Sequence, residues 1–216
     1  MIISFDGPAG SGKSTVADLV AKHLGFIHFN SGSIFRAITA YLIENNFNTE
    51  KLVDANIEVK IQDNNQYVFI NNVDYTPILR NNEISKKVAE VSALPIVQFT
   101  AQKIQKEFSL THNVVIEGRG IGSEVLPNAE YKFYLDCSIK ERAKRRFLEE
   151  QNKNPNITLK EIEAQLEVRD KLDKERDIAP LIVPENAIII DSSKLTIEEV
   201  VEKVLSFIKF KHSLNI

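Results

Sequence analysis

Cysteine occurs once in the 216 residues, at Cys137, so no disulfide can form within the chain and nothing calls for an oxidising compartment. Long hydrophobic runs are also missing. No stretch approaches the roughly 18 apolar residues that span a bilayer, and the apolar start at residues 1–5 stops at Asp6 without the basic flank or cleavage signal of a targeting segment. A cytoplasmic protein without membrane attachment is therefore expected. Nor is there an excess of charge of one sign: 27 Lys and Arg against 30 Asp and Glu leave a net charge of −3. That balance argues against a polybasic membrane binder or a nucleic-acid coat, and no nucleic-acid partner is expected. No repeat or low-complexity tract is present, although residues 63–82 are rich in Asn.

What is present suits a soluble globular protein. The chain is 43% hydrophobic and 26% charged, enough to bury a proper core. At about 150 residues per domain it is too long for one minimal domain, which points to a single domain over 1–216 carrying an insertion. Residues 2–5 read as a strand, followed by a Gly-rich loop and a helix over 15–24 with Val16, Leu19, Val20 and Leu24 at helical spacing. A strand at 26–29 and a helix at 33–43 continue the alternation. The pattern then changes to short strands at 57–61, 67–70 and 73–75, divided by Asp63, Asn64 and Asn65 and then by Asn71 and Asn72, which predicts a small antiparallel insert. Helices are expected at 84–91 and 96–108, strands at 114–116, 131–135 and 187–190, and charged or amphipathic helices at 138–151, 158–176 and 196–209. Five short apolar strands alternating with helices favour a three-layer α/β fold with a five-stranded parallel sheet. Ligands of such sheets bind outside the carboxyl ends of the strands.

The loop after the first strand reads GPAGSGKS, from Gly7 to Ser14, and matches the G-x-x-x-x-G-K-[ST] phosphate loop between a strand and a helix. In such a loop backbone amides curl around phosphate oxygens and the helix N-terminus adds partial positive charge. Lys13 would neutralise the β and γ phosphates, and the Ser14 hydroxyl would bind Mg²⁺. The plain alternative, a Gly-rich turn with a surface lysine, does not explain the strand and helix on either side. No NKxD-like sequence supports a GTPase, and the chain is short for a motor.

Several arginines complete the pattern. Arg36 stands one turn into the helix after the Ser31/Gly32 turn, and Arg119 follows the buried strand at 114–116; either could hold a phosphate bidentately or be merely solvated. Arg169, Asp173 and Arg176, at about 100° per residue, project at about 0°, 40° and −20° on a helix and so share a face. Arg142 and Arg146 share another. Each group alone could be an ordinary exposed ion-pair face.

Taken together, GPAGSGKST at 7–15, SGxIxR at 31–36, LP at 94–95, GRG at 118–120, ERAKRR at 141–146, RDxxD at 169–173 and APL at 179–181 resemble the bacterial cytidylate kinase family of P-loop nucleoside monophosphate kinases, over nearly the whole chain. The resemblance implies a P-loop NTPase fold with strand order 2-3-1-4-5, a core formed by 1–30, 110–150 and 180–216, a monophosphate-binding region with its β insert over 31–109, and a helical lid at about 151–179. It implies Mg²⁺-dependent transfer of the ATP γ-phosphate to CMP or dCMP; separately, a monomer is expected because no long exposed apolar stripe stands out. Gly7, Pro8, Ala9, Gly10, Ser11, Gly12, Lys13, Ser14 and Thr15 would hold ATP, with Arg142 and Arg146 closing over it. Ser31, Arg36, Gln98, Arg119, Arg169 and Arg176 would surround the acceptor or the transferring group, and Asp173 would meet the acceptor ribose. Lys13, Arg119, Arg169 and Arg176 would be catalytic, with Ser14 on the metal directly and Glu117 through water. Phosphoryl transfer needs no covalent nucleophile, so no general base is assigned.

The chain departs from the family pattern at Asn30, where Asp is usual, and at Glu117 and Gly120, where DGRD has aspartates. The family's three base-reading positions fall on Ala89, Gln98 and Gly120. Losing such groups relaxes base choice, so weaker discrimination against UMP is expected. The other readings are a kinase for a different nucleoside monophosphate or small metabolite, and a catalytically weak nucleotide-binding regulator.

Overall fold

The structure is a computed structural model that describes residues 1–151 and 154–213. Strands β1 (Ile2–Asp6), β2 (Ile27–Asn30), β6 (Val114–Gly118), β7 (Tyr131–Asp136) and β8 (Ile188–Asp191) form one parallel sheet in the order β2-β6-β1-β7-β8. Counting these five core strands in chain order gives 2-3-1-4-5, as expected. β1 lies in the middle, with Phe5 opposite Glu117 on one side and Phe133 on the other.

Helices cover both faces. On one, α1 (Lys13–Leu24) and α8 (Ile197–Ser213) pack Val16, Val20, Val200 and Val204 on Ile3, Phe5, Phe133 and Leu135. On the other, α2 (Ser31–Glu44) and α5 (Pro95–Thr111) set Ile34, Ile38, Val97 and Ala101 against Phe29, Val114 and Ile116. Alternate residues of one strand therefore feed two separate cores, which is why these strands read as continuous apolar runs.

The insert is a three-stranded antiparallel sheet of β3 (Ile57–Gln62), β4 (Asn65–Ile70) and β5 (Val73–Asp74). Its turns place Asp63, Asn64, Asn71 and Asn72 at φ of 50° to 65°, the left-handed region that Asn and Asp tolerate best. Val68 and Ile70 pack on Ala37 and Ala40 of α2, together with Ile84 of α4 (Asn82–Val91). A four-residue helix α3 (Glu50–Val53), a 3₁₀ turn (Thr76–Ile78) and a π turn (Ile121–Val125) were not expected from the sequence.

The charged helices are α6 (Ile139–Glu150) and α7 (Leu159–Glu175), joined through a small core of Ala9, Ala143, Ile162 and Leu166. A reciprocal cap between Thr158 and Glu161 starts α7. The helix stops one residue short of expectation: Arg176 is extended at φ −68°, ψ 145°, and the chain then turns through Ala179 at φ 48°. Of the span 151–179 expected as a lid, residues 152 and 153 lie outside the described residues. No helix among the described residues is long and apolar enough to cross a membrane.

Candidate active site

The carboxyl ends of β1, β2 and β6 converge, carrying Asp6 and Gly7, Asn30 and Ser31, and Glu117 to Arg119. The loop after β1 bends at once because Gly7 sits at φ 146°; a Cβ there would lie 2.2 Å from the Leu135 carbonyl oxygen. Lys13 opens α1 and folds back, its Nζ donating to the Pro8 carbonyl at 2.8 Å and to Ser11 Oγ at 3.5 Å. Burial, then repulsion from Arg119, lowers its pKa to about 8, while Glu117, Asp173 and Asp6 oppose the shift. Ser14 and Thr15 are exposed on the first turn of α1.

Asp6 is a site residue that sequence reading passed over. It is fully buried and accepts from the backbone N–H groups of Ile121 at 2.8 Å and Gly122 at 2.7 Å. Its pKa is raised because desolvation outweighs those bonds and the Lys13 charge. It thus ties the phosphate loop to the turn after β6. The only sequence signal was its place directly before the motif. Ser192 does similar work behind the loop, its Oγ donating to the Ser11 carbonyl at 3.0 Å.

The arginines converge around one carboxylate. Asp173, 4% exposed, lies against Arg119, with Nε to Oδ2 at 2.5 Å, and against Arg176, with Nη1 to Oδ1 at 3.8 Å. Arg176 reaches it from just beyond the helix, not from the projected helix face; its Nε donates to the Ala179 carbonyl at 2.6 Å and its Nη2 to the Arg119 carbonyl at 3.0 Å. Arg169 has a buried Nε with no hydrogen-bond partner among the described residues. Burial, then Arg119, lowers its pKa to about 9, with Arg36 and Arg146 adding to the shift and Asp173 opposing it. Arg36 donates to the Leu79 carbonyl and to Ser85 Oγ, and is held below its ordinary pKa by burial and by Arg119, Arg146 and Arg80. The guanidinium groups of Arg36, Arg119, Arg146, Arg169 and Arg176 and the Lys13 ammonium thus share a region that holds few carboxylates. Such an excess of partly buried cations around the buried Lys13 suits a polyanionic ligand.

Other predicted residues sit elsewhere. Arg142 lies against the phosphate loop but its guanidinium is engaged: it is 4% exposed and bidentate to Asp170, with Nη1 also donating to the Ala9 carbonyl at 3.1 Å and Nε to the Cys137 carbonyl at 2.9 Å. Arg146 pairs with Glu150 at 2.6 Å. Gln98 is buried in the first turn of α5, where its Nε2 donates back to the Ser92 carbonyl at 2.6 Å. Ser31 Oγ donates to the Glu117 carbonyl at 2.6 Å, joining the starts of two of the loops. Gly120, at φ 77°, has no room for a side chain, since a Cβ would lie 2.9 Å from Ala179 Cβ and O.

The oxygen donors near the phosphate loop are few: Ser14 Oγ and the Glu117 carboxylate. Asp6 is occupied by backbone amides. Among the described residues no group of three or more His, Cys, Asp or Glu side chains could hold a metal unaided. This donor set fits Mg²⁺, which keeps most of its waters and is bound by one or two protein oxygens together with substrate phosphates.

Comparison with known proteins points to one family. The cytidylate kinase family model matches residues 3–210. The chain is 41% identical over 218 residues to a cytidylate kinase of Lactobacillus johnsonii, covering 98% of this chain and 95% of that one. It is 40% identical to one from Caldicellulosiruptor bescii over 94% and 93% of the two chains. Among solved structures, shikimate kinases of Acinetobacter baumannii and Bacteroides thetaiotaomicron share the fold with TM-scores of 0.51 and 0.52 at 18% and 13% identity; they cover 97% of this chain, and 93% and 98% of theirs is covered. With a phosphate loop, an arginine cluster and a family match along nearly its full length, the chain belongs to the cytidylate kinase family.

Proposed function

We propose that the protein transfers the γ-phosphoryl group of ATP to CMP or dCMP. The observation that carries this reading is the cation excess around Asp173, within reach of Lys13 and the phosphate loop. Two phosphate chains brought together there would meet Arg36, Arg119, Arg169 and Arg176 from the acceptor side and Lys13 with the Gly7 to Thr15 loop from the ATP side. An acceptor phosphate oxygen, already anionic, forms a bond to the γ-phosphorus as the bond to the β,γ-bridging oxygen breaks, and ADP leaves. Positioning and charge stabilisation carry the rate, so no general base is required. Mg²⁺, when bound, neutralises the β and γ oxygens; Ser14 Oγ would hold it directly and Glu117 through water.

Asp173 would accept from the acceptor ribose while keeping Arg119 in place. Arg146, electrostatically coupled to Arg36 and Arg169, is the better candidate of its pair to close over ATP. Arg142 would brace the site from behind. Closure would exclude water and suppress wasteful ATP hydrolysis.

A second reading, relaxed base choice extending to UMP, rests on a separate observation. Gln98 commits an N–H of its amide to the Ser92 carbonyl, and neither Ala89 nor Gly120 offers a polar side chain. Coupled steady-state assays with CMP, dCMP, UMP and AMP test both. CMP and dCMP should be best, with UMP closer behind than in relatives that keep Ser, Arg and Asp at those positions; a preference for AMP sinks the cytidylate reading, and no turnover with any acceptor favours a binding regulator. A monomer is expected by light scattering.

A further inference from the structure

Asn30 ends β2 at the edge of the phosphate loop, and a residue of the insert holds it there. The Asn30 N–H donates to Gln66 Oε1 at 2.8 Å, and Gln66 Nε2 donates to the Asn30 carbonyl at 3.1 Å. The primary amide of Gln66 thereby reproduces both bonds that a neighbouring peptide group would supply. On its other side Asn30 Nδ2 donates to Ser14 Oγ at 3.2 Å. Gln66 lies in β4, opposite Ile61, on a sheet whose core is shared with α2. It is 36 residues from Asn30 in sequence, and no motif marks it.

A serine hydroxyl has two lone pairs and one proton. An amide donor on one lone pair leaves the other with a fixed direction, which is what a hydroxyl ligand to a metal requires. Partners that orient a metal ligand are often worth about 10–100-fold in metal affinity or activity.

We propose that Gln66 is a positioning residue: by gripping both edges of the Asn30 peptide it holds the Asn30 carboxamide against Ser14 Oγ, so that the insert sets the geometry of the metal-bearing end of the phosphate loop. This rests on the reading that Ser14 binds Mg²⁺. A residue that merely stitches the insert to the core would affect stability without touching the metal-dependent part of nucleotide binding.

Calorimetric titration of the full chain with ADP, with and without Mg²⁺, separates the two. The wild-type protein should bind ADP more tightly with Mg²⁺. In Gln66→Ala that gain should shrink about 10-fold, with Mg²⁺-free ADP affinity unchanged. Asn30→Ala should show the same loss, and the double variant no more than either alone, because both act through one bond to Ser14. Gln66→Glu, close in shape, keeps an acceptor for the Asn30 N–H but sets a carboxylate oxygen against the Asn30 carbonyl, and should also lose the gain. Kinetically, the half-saturating Mg²⁺ concentration should rise while the KM for CMP holds. The proposal falls if both Gln66 variants retain the full Mg²⁺ gain while melting earlier, or if the losses in Gln66→Ala and Asn30→Ala add in full. A wild-type protein whose ADP affinity ignores Mg²⁺ instead overturns the metal assignment itself.

Discussion

Asp170 and Asp173 stand three residues apart on α7, both buried and both facing arginines, yet their surroundings differ in kind. Asp170 meets Arg142 in two parallel bonds of 3.1 and 2.7 Å, and the rest of that guanidinium is taken up by the Ala9 and Cys137 carbonyls. Charge and hydrogen bonds balance. Asp173 stands among Arg119, Arg169 and Arg176, its contact with Arg119 is not aligned as a hydrogen bond, and Arg169 Nε has no partner among the described residues. A matched buried pair is satisfied within the fold, whereas an unmatched cluster leaves positive charge that suits an anionic ligand.

That contrast can be broken in several places. The largest effect should come from Arg176→Ala, which should slow the chemical step by about 10³–10⁵-fold in single-turnover experiments while ATP affinity changes far less. Normal activity in that variant would make the Asp173 cluster as structural as the Asp170 pair. On the Asp170 side, Asp170→Ala leaves a buried guanidinium unpaired and should cost about 3–5 kcal/mol of stability by urea unfolding. An apolar pair, Arg142→Met with Asp170→Leu, should recover much of it.

Smaller effects sharpen the difference. Arg169→Met should unfold no earlier than wild type in anion-free buffer, because it relieves crowding among like charges. Adding ADP at about 100 times its dissociation constant stabilises a binding protein by about 2.7 kcal/mol. Inorganic phosphate, a weaker ligand, should raise the wild-type melting temperature by a few degrees and leave Arg169→Met nearly unmoved in thermal denaturation.

The smallest effect is in pH. With Lys13 at about 8, kcat/KM for ATP should fall above that pH as the free enzyme loses the ammonium charge. In kcat the fall should come at higher pH, because bound triphosphate holds the proton. For stability the sign is opposite. Between about 8 and the ordinary lysine value of 10.5 the unfolded chain retains a proton that the folded one has released, so Lys13 alone makes stability rise with pH across that window. Unfolding of Lys13→Met should lack that component.

Much of the fold was legible because it rests on backbone demands that leave marks in sequence. The phosphate loop needs glycines at fixed places, and the insert turns need Asn or Asp at positive φ. Asn64, Asn71 and Asn72 therefore located the hairpins as clearly as any apolar pattern. The arginine cluster was legible as a set of strand-end and helix-face positions. Less legible was what lies across from each side chain. Helical spacing put Arg142 and Arg146 on one face of α6, but only the packing of α7 decides that Arg142 is buried against Asp170 while Arg146 is not. Arg176 was projected on a helix that ends at Glu175, and it reaches Asp173 through the bend at Ala179. Gln98, Asp6 and Gln66 act through partners distant in sequence or on backbone groups, neither of which leaves a spacing to read.

The bond from Arg142 to both Ala9 and Asp170 also has a mechanical meaning. It ties α7 to the nucleotide loop near Asp170, beside the core contacts of Ile162 and Leu166, so in the proposed lid motion the helix would turn about that tie once those core contacts part. Leu159 is 11 residues from Asp170 along α7, about 16 Å at roughly 1.5 Å per residue, and would sweep the widest arc. Arg169 and Asp173 sit within a turn of the tie and would scarcely travel. Under that proposal the far end of the helix would open to solvent while the residues nearest the phosphates keep their aim.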